Sequence, residues 1–515
     1  MEKKIAAFKT VFLIASATAL ASTQAHAIEL DWSGQFRAEL NLLKNYTMDS
    51  SDAGGNTDPT RAAADGYYVP GSGQNSANFQ TLFMRLKPRL VVNDNVYVKS
   101  EWWLGDPVFG FFGNAVPHNA SERQVYSNQS RGAQLTAQRF WVDVVTDFGT
   151  LQVGRAPLNW GLGLVWNAGD GIWDRYQSTG DTVRLVAKLG TFSLIPSFVS
   201  YSFGNTLGGN CVQGVSGGTV TCTPGAGSGG VTEYTLALQY DNPDEDFEAG
   251  VNFVRRLTGA GQDVTAGYQG FNGTASSTAF NIWDIYTRKK LGSLTLSAEA
   301  PITSGKLGLV DYSTLALAAE ADWEISDSWS LLTRAGRAPG QPNLADGATP
   351  SEYKIFYFHP NYNIGTILFN YQLANLAGVN ATNNPAFGEQ DLRSLYDNPI
   401  ANANYVGVNG AYRTDKWTFN AGLIYAAAAE SATAGQKFFN VWDRKFSDTV
   451  AVRDQSKSLG VEVDTSADFQ WDDNFQFGVG LAFFFPGAFY SFSNTAVDNA
   501  TNTVWQTQAR LGVNF

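Results

Sequence analysis

Apolar and polar residues alternate one for one in stretches of about ten positions, repeated along nearly the whole chain. Near the start Trp32, Gly34, Phe36, Ala38, Leu40 and Leu42 alternate with Ser33, Gln35, Arg37, Glu39 and Asn41. Further on, Trp417, Phe419, Ala421, Leu423 and Tyr425 alternate with Thr418, Asn420 and Gly422, and Phe475, Phe477, Val479, Leu481 and Phe483 with Gln476, Gly478 and Gly480. The final stretch, Val504 to Phe515, puts Trp505, Ala509, Leu511, Val513 and Phe515 on one side and Gln506, Gln508, Arg510 and Asn514 on the other. A repeat of two is the strand period, because successive side chains of an extended chain point to opposite faces.

Connections alternate between very short and long. Nine short turns are read at Asn93-Asp94-Asn95, Asp147-Phe148-Gly149, Leu189-Gly190-Thr191, Asn242-Pro243-Asp244, Leu291-Gly292-Ser293, Ile325-Ser326-Asp327, His359 to Ile364, Thr414-Asp415-Lys416 and Trp471-Asp472-Asp473-Asn474. Ten longer segments lie near 45–78, 105–134, 156–180, 204–231, 258–277, 303–312, 338–353, 374–404, 427–456 and 486–503. That alternation predicts about twenty strands, within 18 to 22, an even number with both chain ends on the short-turn side. In hydrocarbon every backbone polar group needs a partner, so a spanning sheet must close and turn its apolar face outward. The predicted fold is therefore all-β: a transmembrane antiparallel up-and-down β-barrel with short periplasmic turns and long extracellular loops. The closing strand, with alternate apolar positions and a terminal Phe515, resembles the last strand of bacterial outer-membrane barrels. That resemblance implies recognition of Phe515 by the barrel assembly machinery.

Composition agrees with this reading and locates it. The 52 glycines, 13% aromatic and 16% charged residues suit many short strands that are apolar on one side only. Lys3, Lys4 and Lys9 precede an apolar run from Val11 to Ala21, and Ala25-His26-Ala27 offers a small-x-small cleavage site. Residues 1–27 are thus expected to be a secretory signal peptide and 28–515 a single barrel domain in the bacterial outer membrane. Removing that segment's net +2 takes the formal charge from −12 to about −14. An acidic exported chain is a poor fit to nucleic acid, whose partners need a basic footprint. The first strand begins almost at once, which argues against a plugged transporter. Trp323, Trp329, Trp417 and Trp471 flank short turns as a periplasmic aromatic girdle would, with Trp102 and Trp103 towards the other end.

The chemistry of such a barrel lies on its lumen face, and the charges there are uneven. Arg85, Lys87, Arg89, Lys99, Arg139, Arg184 and Lys188 fall on the polar faces of predicted strands two to six, and Glu299, Glu320, Asp322, Glu462 and Asp464 on those of strands eleven to eighteen. Basic and acidic staves facing each other would create a transverse field, with the acidic excess favouring cations.

The most particular stretch runs Gly154-Arg155-Ala156-Pro157-Leu158-Asn159-Trp160-Gly161-Leu162-Gly163, then Trp166, Ala168-Gly169-Asp170-Gly171-Ile172-Trp173-Asp174-Arg175. An apolar, glycine-rich run is unusual for a loop in water, and it predicts a third loop folded back into the lumen. A strand ending in Val-Gly-Arg followed by Pro-Leu-x-Trp-Gly-Leu-Gly and Gly-Asp-Gly resembles the porin-like outer-membrane barrels of myxobacterial and predatory deltaproteobacterial type. The resemblance covers about thirty residues. It implies a diffusion channel for small hydrophilic solutes, embedded in outer-membrane lipid and homo-oligomeric, in which Arg155, Asp170, Asp174, Arg175 and Arg184 form the constriction. The alternative is a structural or adhesive barrel with a closed lumen, or a lipid-organising oligomer.

Other chemistry is sparse. Cys211 and Cys222, both in the fourth loop, are expected to form a disulfide in an exported chain. After signal removal only His118 and His359 remain, one in a long segment and one beside a predicted short turn, so they fall at opposite faces. No His-x-x-Glu-His or Cys-x-x-Cys occurs, and Asp472-Asp473 and Asp244-Glu245-Asp246 read as turns. The expectation is a non-enzyme without cofactor or metal.

Overall fold

The computed structural model describes residues 29–46, 48, 76–105, 107, 135–201, 210–212, 221–223, 231–258, 278–307, 310–371, 373, 398–441, 445–495, 498 and 501–515. Eighteen antiparallel strands form one closed sheet. They are β1 (Gly34–Lys44, led in by Glu29–Asp31), β2 (Ser76–Leu86, continued by Arg89–Asn93), β3 (Val96–Leu104), β4 (Leu135–Thr146), β5 (Gly149–Pro157), β6 (Thr179–Leu189), β7 (Phe192–Ser200), β8 (Thr232–Asn242) and β9 (Phe247–Thr258). Then come β10 (Thr278–Leu291), β11 (Leu294–Leu307), β12 (Val310–Leu315 and Leu317–Glu324), β13 (Trp329–Ala338), β14 (Ala403–Arg413), β15 (Trp417–Ala428), β16 (Ser458–Gln470), β17 (Phe475–Pro486) and β18 (Val504–Asn514). Each strand pairs with its sequence neighbours, and β18 closes the barrel on β1 with Leu40 opposite Ala509 and Glu39 opposite Arg510. Beyond β18 the ladder continues through Gly34 N–H to Phe515 O at 2.7 Å and Phe515 N–H to Gly34 O at 3.0 Å.

The side-chain period decides which way each strand faces. Leu40, Phe140, Leu236, Trp283, Phe419, Leu423, Val479 and Leu481 point outward and are exposed, whereas Arg37, Glu39, Arg85, Glu101, Arg139, Glu299 and Glu462 point inward and are buried. A sheet closed on itself, apolar outside and charged inside, satisfies its own backbone in a membrane. Trp323, Trp329, Trp417 and Trp471 all project outward near short turns, as a girdle requires. Trp103 departs from expectation: a register shift between Glu101 and Trp102 sends it inward, edge-on to Phe83.

Eight of the nine expected turns join strands as read. Gly149 adopts φ +136°, and a Cβ there would lie 2.0 Å from the carbonyl oxygen of Val186, so the Asp147-Phe148-Gly149 turn requires glycine. In the last turn Asp472 accepts from the N–H groups of Asn474 (2.9 Å) and Phe475 (2.8 Å). The ninth, His359 to Ile364, is a correction: it belongs to the one long connection from β13 to β14, residues 339–402, and it packs inside the barrel with neighbours such as Phe356, Phe358, Ile367 and Tyr371. This is why there are eighteen strands rather than twenty. The segment expected near 303–312 is also short, since only residues 308 and 309 separate β11 from β12. In the fourth loop, Asn210–Val212 pairs with Thr221–Thr223 and sets Cys211 opposite Cys222 in register. Their side chains, like residues 1–28 and His118, lie outside the described residues.

Candidate functional site

Two loops fold into the lumen and meet there. The third, residues 158–178, doubles back on itself through Leu158 N–H to Ser178 O (3.0 Å) and Ser178 N–H to Asn167 O (2.7 Å). Its apolar arm, Leu158, Trp160 and Trp166, packs on Val199, Val254, Phe280 and Ile282 of β7, β9 and β10. Glycine is needed where it turns: Gly169 has φ +67°, and a Cβ there would lie 2.0 Å from Tyr176 O. At the Trp160–Leu164 bend Glu299 of β11 accepts from the N–H groups of Gly163 (3.0 Å) and Leu164 (3.1 Å).

The loop's charged arm lies against the basic wall. Glu101 sits between Arg85 (3.4 Å) and Arg139 (2.9 Å), and Arg139 also reaches Asp170 (3.3 Å) and the carbonyl of Ala168. Lys87 pairs with Asp170 at 3.0 Å and Arg175 with Glu39 at 2.8 Å. Arg37 donates to the carbonyls of Ile172 and Asp174, both at 2.7 Å. Burial opposes ionisation of Asp170, but the Lys87 ammonium, with Arg139 and Arg85 behind it, outweighs that and holds its carboxyl below the usual range. Asp174 caps its own turn by accepting from Gly171 N–H at 2.7 Å. Trp173 lies under the Arg510 guanidinium, 5.0 Å from ring centroid to guanidinium carbon.

The seventh loop, 339–402, contributes a buried apolar body. Phe356, Phe358, Tyr362, Ile364, Ile367, Leu368 and Tyr371 pack on Ala403, Tyr405, Ile424, Ala426 and Phe484 of the wall and on Leu164 of the third loop. Glu462 of β16 accepts from three successive N–H groups, Thr366 (2.6 Å), Ile367 (2.7 Å) and Leu368 (2.5 Å), and Asp464 accepts from Thr366 at 3.1 Å. Asn361 joins the loops: its oxygen accepts from Tyr176 N–H (3.0 Å) and its amide donates to Tyr176 O (2.6 Å). His359 N–H donates to Leu164 O at 2.7 Å, and burial pushes the His359 imidazole down to about 4.

Two cavities border these loops. One of about 470 Å³ is lined by Pro157, Asn159, Asn167, Gly169, Asp170 and Arg184. The other, about 360 Å³, lies under the seventh loop, where Arg334, Asn363, Asn409, Asn420, Asp464 and Arg510 meet. Pockets of this order accommodate small solutes.

The structure thus brings Arg85, Lys87, Arg139, Asp170, Asp174 and Arg175 to one place. Arg184 stands nearby, donating to Gln152 and to Pro157 O. Arg89 pairs with Asp31 at 2.9 Å, and Glu320 faces the lumen on β12 opposite Arg334 of β13. Arg155 is a correction. It is the cross-strand partner of outward-facing Phe140 and pairs with Asp181 at 2.8 Å on the outer surface, so it does not border the lumen. Gln506 and Gln508, on the inner face of β18, both bond to Asn41; Gln506 is buried and also bonds to the Tyr371 hydroxyl, while Gln508 borders the smaller cavity. Glu101 and Arg334 were missed, although strand alternation alone puts them on the inner face; Arg37 was placed on the polar face of the first strand, but not as a partner of the third loop. Asn361 carried no signal, because its segment reads as a turn.

A closed antiparallel barrel with an apolar outer belt and a charged lumen is an outer-membrane β-barrel protein. No family model matches the sequence, and no curated protein matches it significantly. Among solved structures the chain is similar to a BenF-like porin from Pseudomonas fluorescens Pf-5, with 9% identity over 95% of this chain and 98% of that one, TM-score 0.48. It is also similar to Pseudomonas aeruginosa OccK9 (OpdG), with 13% identity over 94% and 99%, TM-score 0.46. A third is the outer membrane channel DcaP of Acinetobacter baumannii, with 10% identity over 96% and 99%, TM-score 0.37.

Proposed function

We propose that this protein is an outer-membrane porin that passes small hydrophilic solutes by passive diffusion, with the third loop as its constriction. The observation that carries this reading is the charged arm of that loop, Asp170 to Arg175, held against lumen-facing arginines beside a cavity of about 470 Å³. Asp170, with Lys87 and Arg184 partly open beside it, is what a passing solute meets, and the buried Arg85 and Arg139 with the largely enclosed Arg175 hold that arm in place behind it. Resemblance of the Gly154–Arg175 stretch to the myxobacterial and predatory deltaproteobacterial type supports the same reading.

Cation preference is the electrostatic part of the proposal. The basic side chains are largely compensated locally, Lys99 by Asp143 at 2.7 Å and Arg139 by Glu101 at 2.9 Å, whereas Asp322 on the inner face of β12 has Thr295 and Leu332 as its cross-strand partners and no basic one. Reversal potentials in planar bilayers under a salt gradient should show cation selectivity, and anion selectivity would refute this part. Liposome swelling should slow with increasing sugar size. Swelling that is absent for every sugar would favour the second reading, a structural barrel with a closed lumen, which the apolar packing of the seventh loop on the wall supports.

We further propose a homo-oligomer and a Cys211–Cys222 disulfide. Native mass spectrometry in mild detergent tests the first, where a monomer would contradict it. Thiol labelling without reductant tests the second, where two reactive thiols would contradict it.

A further inference from the structure

Behind the bend of the third loop, three polar side chains on adjacent strands face one another in an otherwise apolar part of the lumen. Asn252 of β9 is the direct cross-strand partner of Asp284 of β10. Glu299 of β11 sits two residues along from Pro301, the partner of Asp284, and so on the same face, as partner of Tyr286. All are buried: Asn252 is 2% exposed, and Asp284 and Glu299 are 0% exposed. Asp284 and Glu299 lie within hydrogen-bonding contact of each other, and neither Asp284 oxygen nor Asn252 Oδ1 accepts from any other donor. Among the described residues no Lys or Arg forms an ion pair with either carboxylate. Around them stand Ala237, Ile282, Pro301 and the Trp160 ring, whose edge lies 2.7 Å from where a Cβ on Gly250 would be.

Two carboxyl groups cannot be buried side by side in that setting without positive charge between them. A single proton bridging Asp284 and Glu299 would compensate the charge but would satisfy only one acceptor. With the Asn252 amide as placed, its Oδ1 and an Asp284 oxygen would remain bare, each at a cost typical of an unpaired buried polar group. One cation satisfies all of them at once.

We propose that Asn252, Asp284 and Glu299 form a binding site for a hard divalent cation, Ca2+. The donors are all oxygen, two are anionic, and their mixture of carboxylate and amide carbonyl is the chemistry Ca2+ selects. Through Glu299, which also holds the Gly163 and Leu164 N–H groups, the ion ties the third loop to the wall. The Asp244-Glu245-Asp246 turn is not part of it, being exposed at the other end of β9.

The test uses the full-length protein in detergent, stripped with chelator and titrated with Tb3+ while the indoles are excited. Trp160 sits close enough to sensitise bound Tb3+, and Ca2+ should displace the emission. Asp284→Asn, which keeps the shape and removes the charge, should weaken Ca2+ binding by at least about tenfold, as loss of metal-site partners does. Asn252→Leu, which leaves both carboxylates, should weaken it in the same direction. Absence of a Ca2+-displaceable signal in the wild-type protein, or equal Ca2+ affinity in wild type and both variants, overturns the proposal. The first outcome is what a bridging proton with a rotated Asn252 amide would give.

Discussion

The third loop meets the wall largely through charge, the seventh largely through apolar contact. Asp170 and Arg175 of the third loop answer Lys87, Arg139 and Glu39 on β1, β2 and β4. Phe356, Phe358, Ile367 and Tyr371 of the seventh fill the space left by small inward residues such as Ala403, Ala426 and Ala482. Both loops carry irregular backbone through a membrane-spanning barrel, where each N–H needs an acceptor. They meet that need alike, with one buried wall glutamate accepting successive N–H groups: Glu299 for the third loop, Glu462 for the seventh. The glutamates are therefore the points at which the two loops can be separated experimentally.

The largest effect is expected at Glu462. Glu462→Leu strips the acceptor from Ile367 and Leu368, while Thr366 keeps Asp464. Two buried donors left bare cost about 4 kcal/mol. Hydrogen exchange at those amides should accelerate by about three orders of magnitude, since each 1.4 kcal/mol is about tenfold. Unchanged protection would show that apolar packing alone holds the loop.

Acid should act on the same loop through His359. Its docked value of about 4 lies below the ordinary 6.5, so the docked form favours the neutral ring. The docked state accordingly loses ground as pH falls below 6.5, by up to about 3 kcal/mol once pH reaches 4, and no further below that. Protection factors of the 356–371 amides, each referenced to the intrinsic rate at its pH, should fall across that window in the wild type and stay constant in His359→Gln. The Asp170 anchor of the third loop has the opposite sign. Its carboxyl is depressed, so its contribution is complete above the ordinary carboxylate range and fades only in stronger acid. Mild acid thus separates the loops, loosening the seventh first.

Glu299→Leu should cost less, about 2 kcal/mol, because Gly163 N–H also reaches Trp160 O at 2.9 Å and only Leu164 loses its acceptor outright. Smallest of all is Arg155→Ala. Its ion pair with Asp181 is on the outer surface, so the change should be below about 0.5 kcal/mol with conductance unaltered. A conductance change there would put Arg155 in the pathway after all.

The sequence showed the barrel through its period of two, which survives wherever one strand face meets lipid and the other the lumen. The third loop was legible too, since Gly161, Gly163 and Gly169 beside tryptophans make little sense in open water. The seventh was not. Phe356, Phe358, Tyr362 and Ile364 carry the same apolar density as a lipid-facing strand, and the intervening His359-Pro360-Asn361 reads as a turn. Burial inside the barrel and burial in lipid leave the same local signature. Arg155 failed for a related reason: at the end of β5 strand alternation puts it outside, and the resemblance used to place it inside ignores that alternation.

The central claim is that both loops occupy the lumen and together set what passes. Its most direct test is single-channel conductance in planar bilayers of three proteins: wild type, one with residues 340–400 replaced by a short Gly-Ser linker joining β13 to β14, and one with residues 160–176 shortened in the same way. Several-fold larger unitary conductance in each shortened protein, larger for the seventh loop than for the third, is the predicted result. Unitary conductance equal to wild type in both would contradict the account.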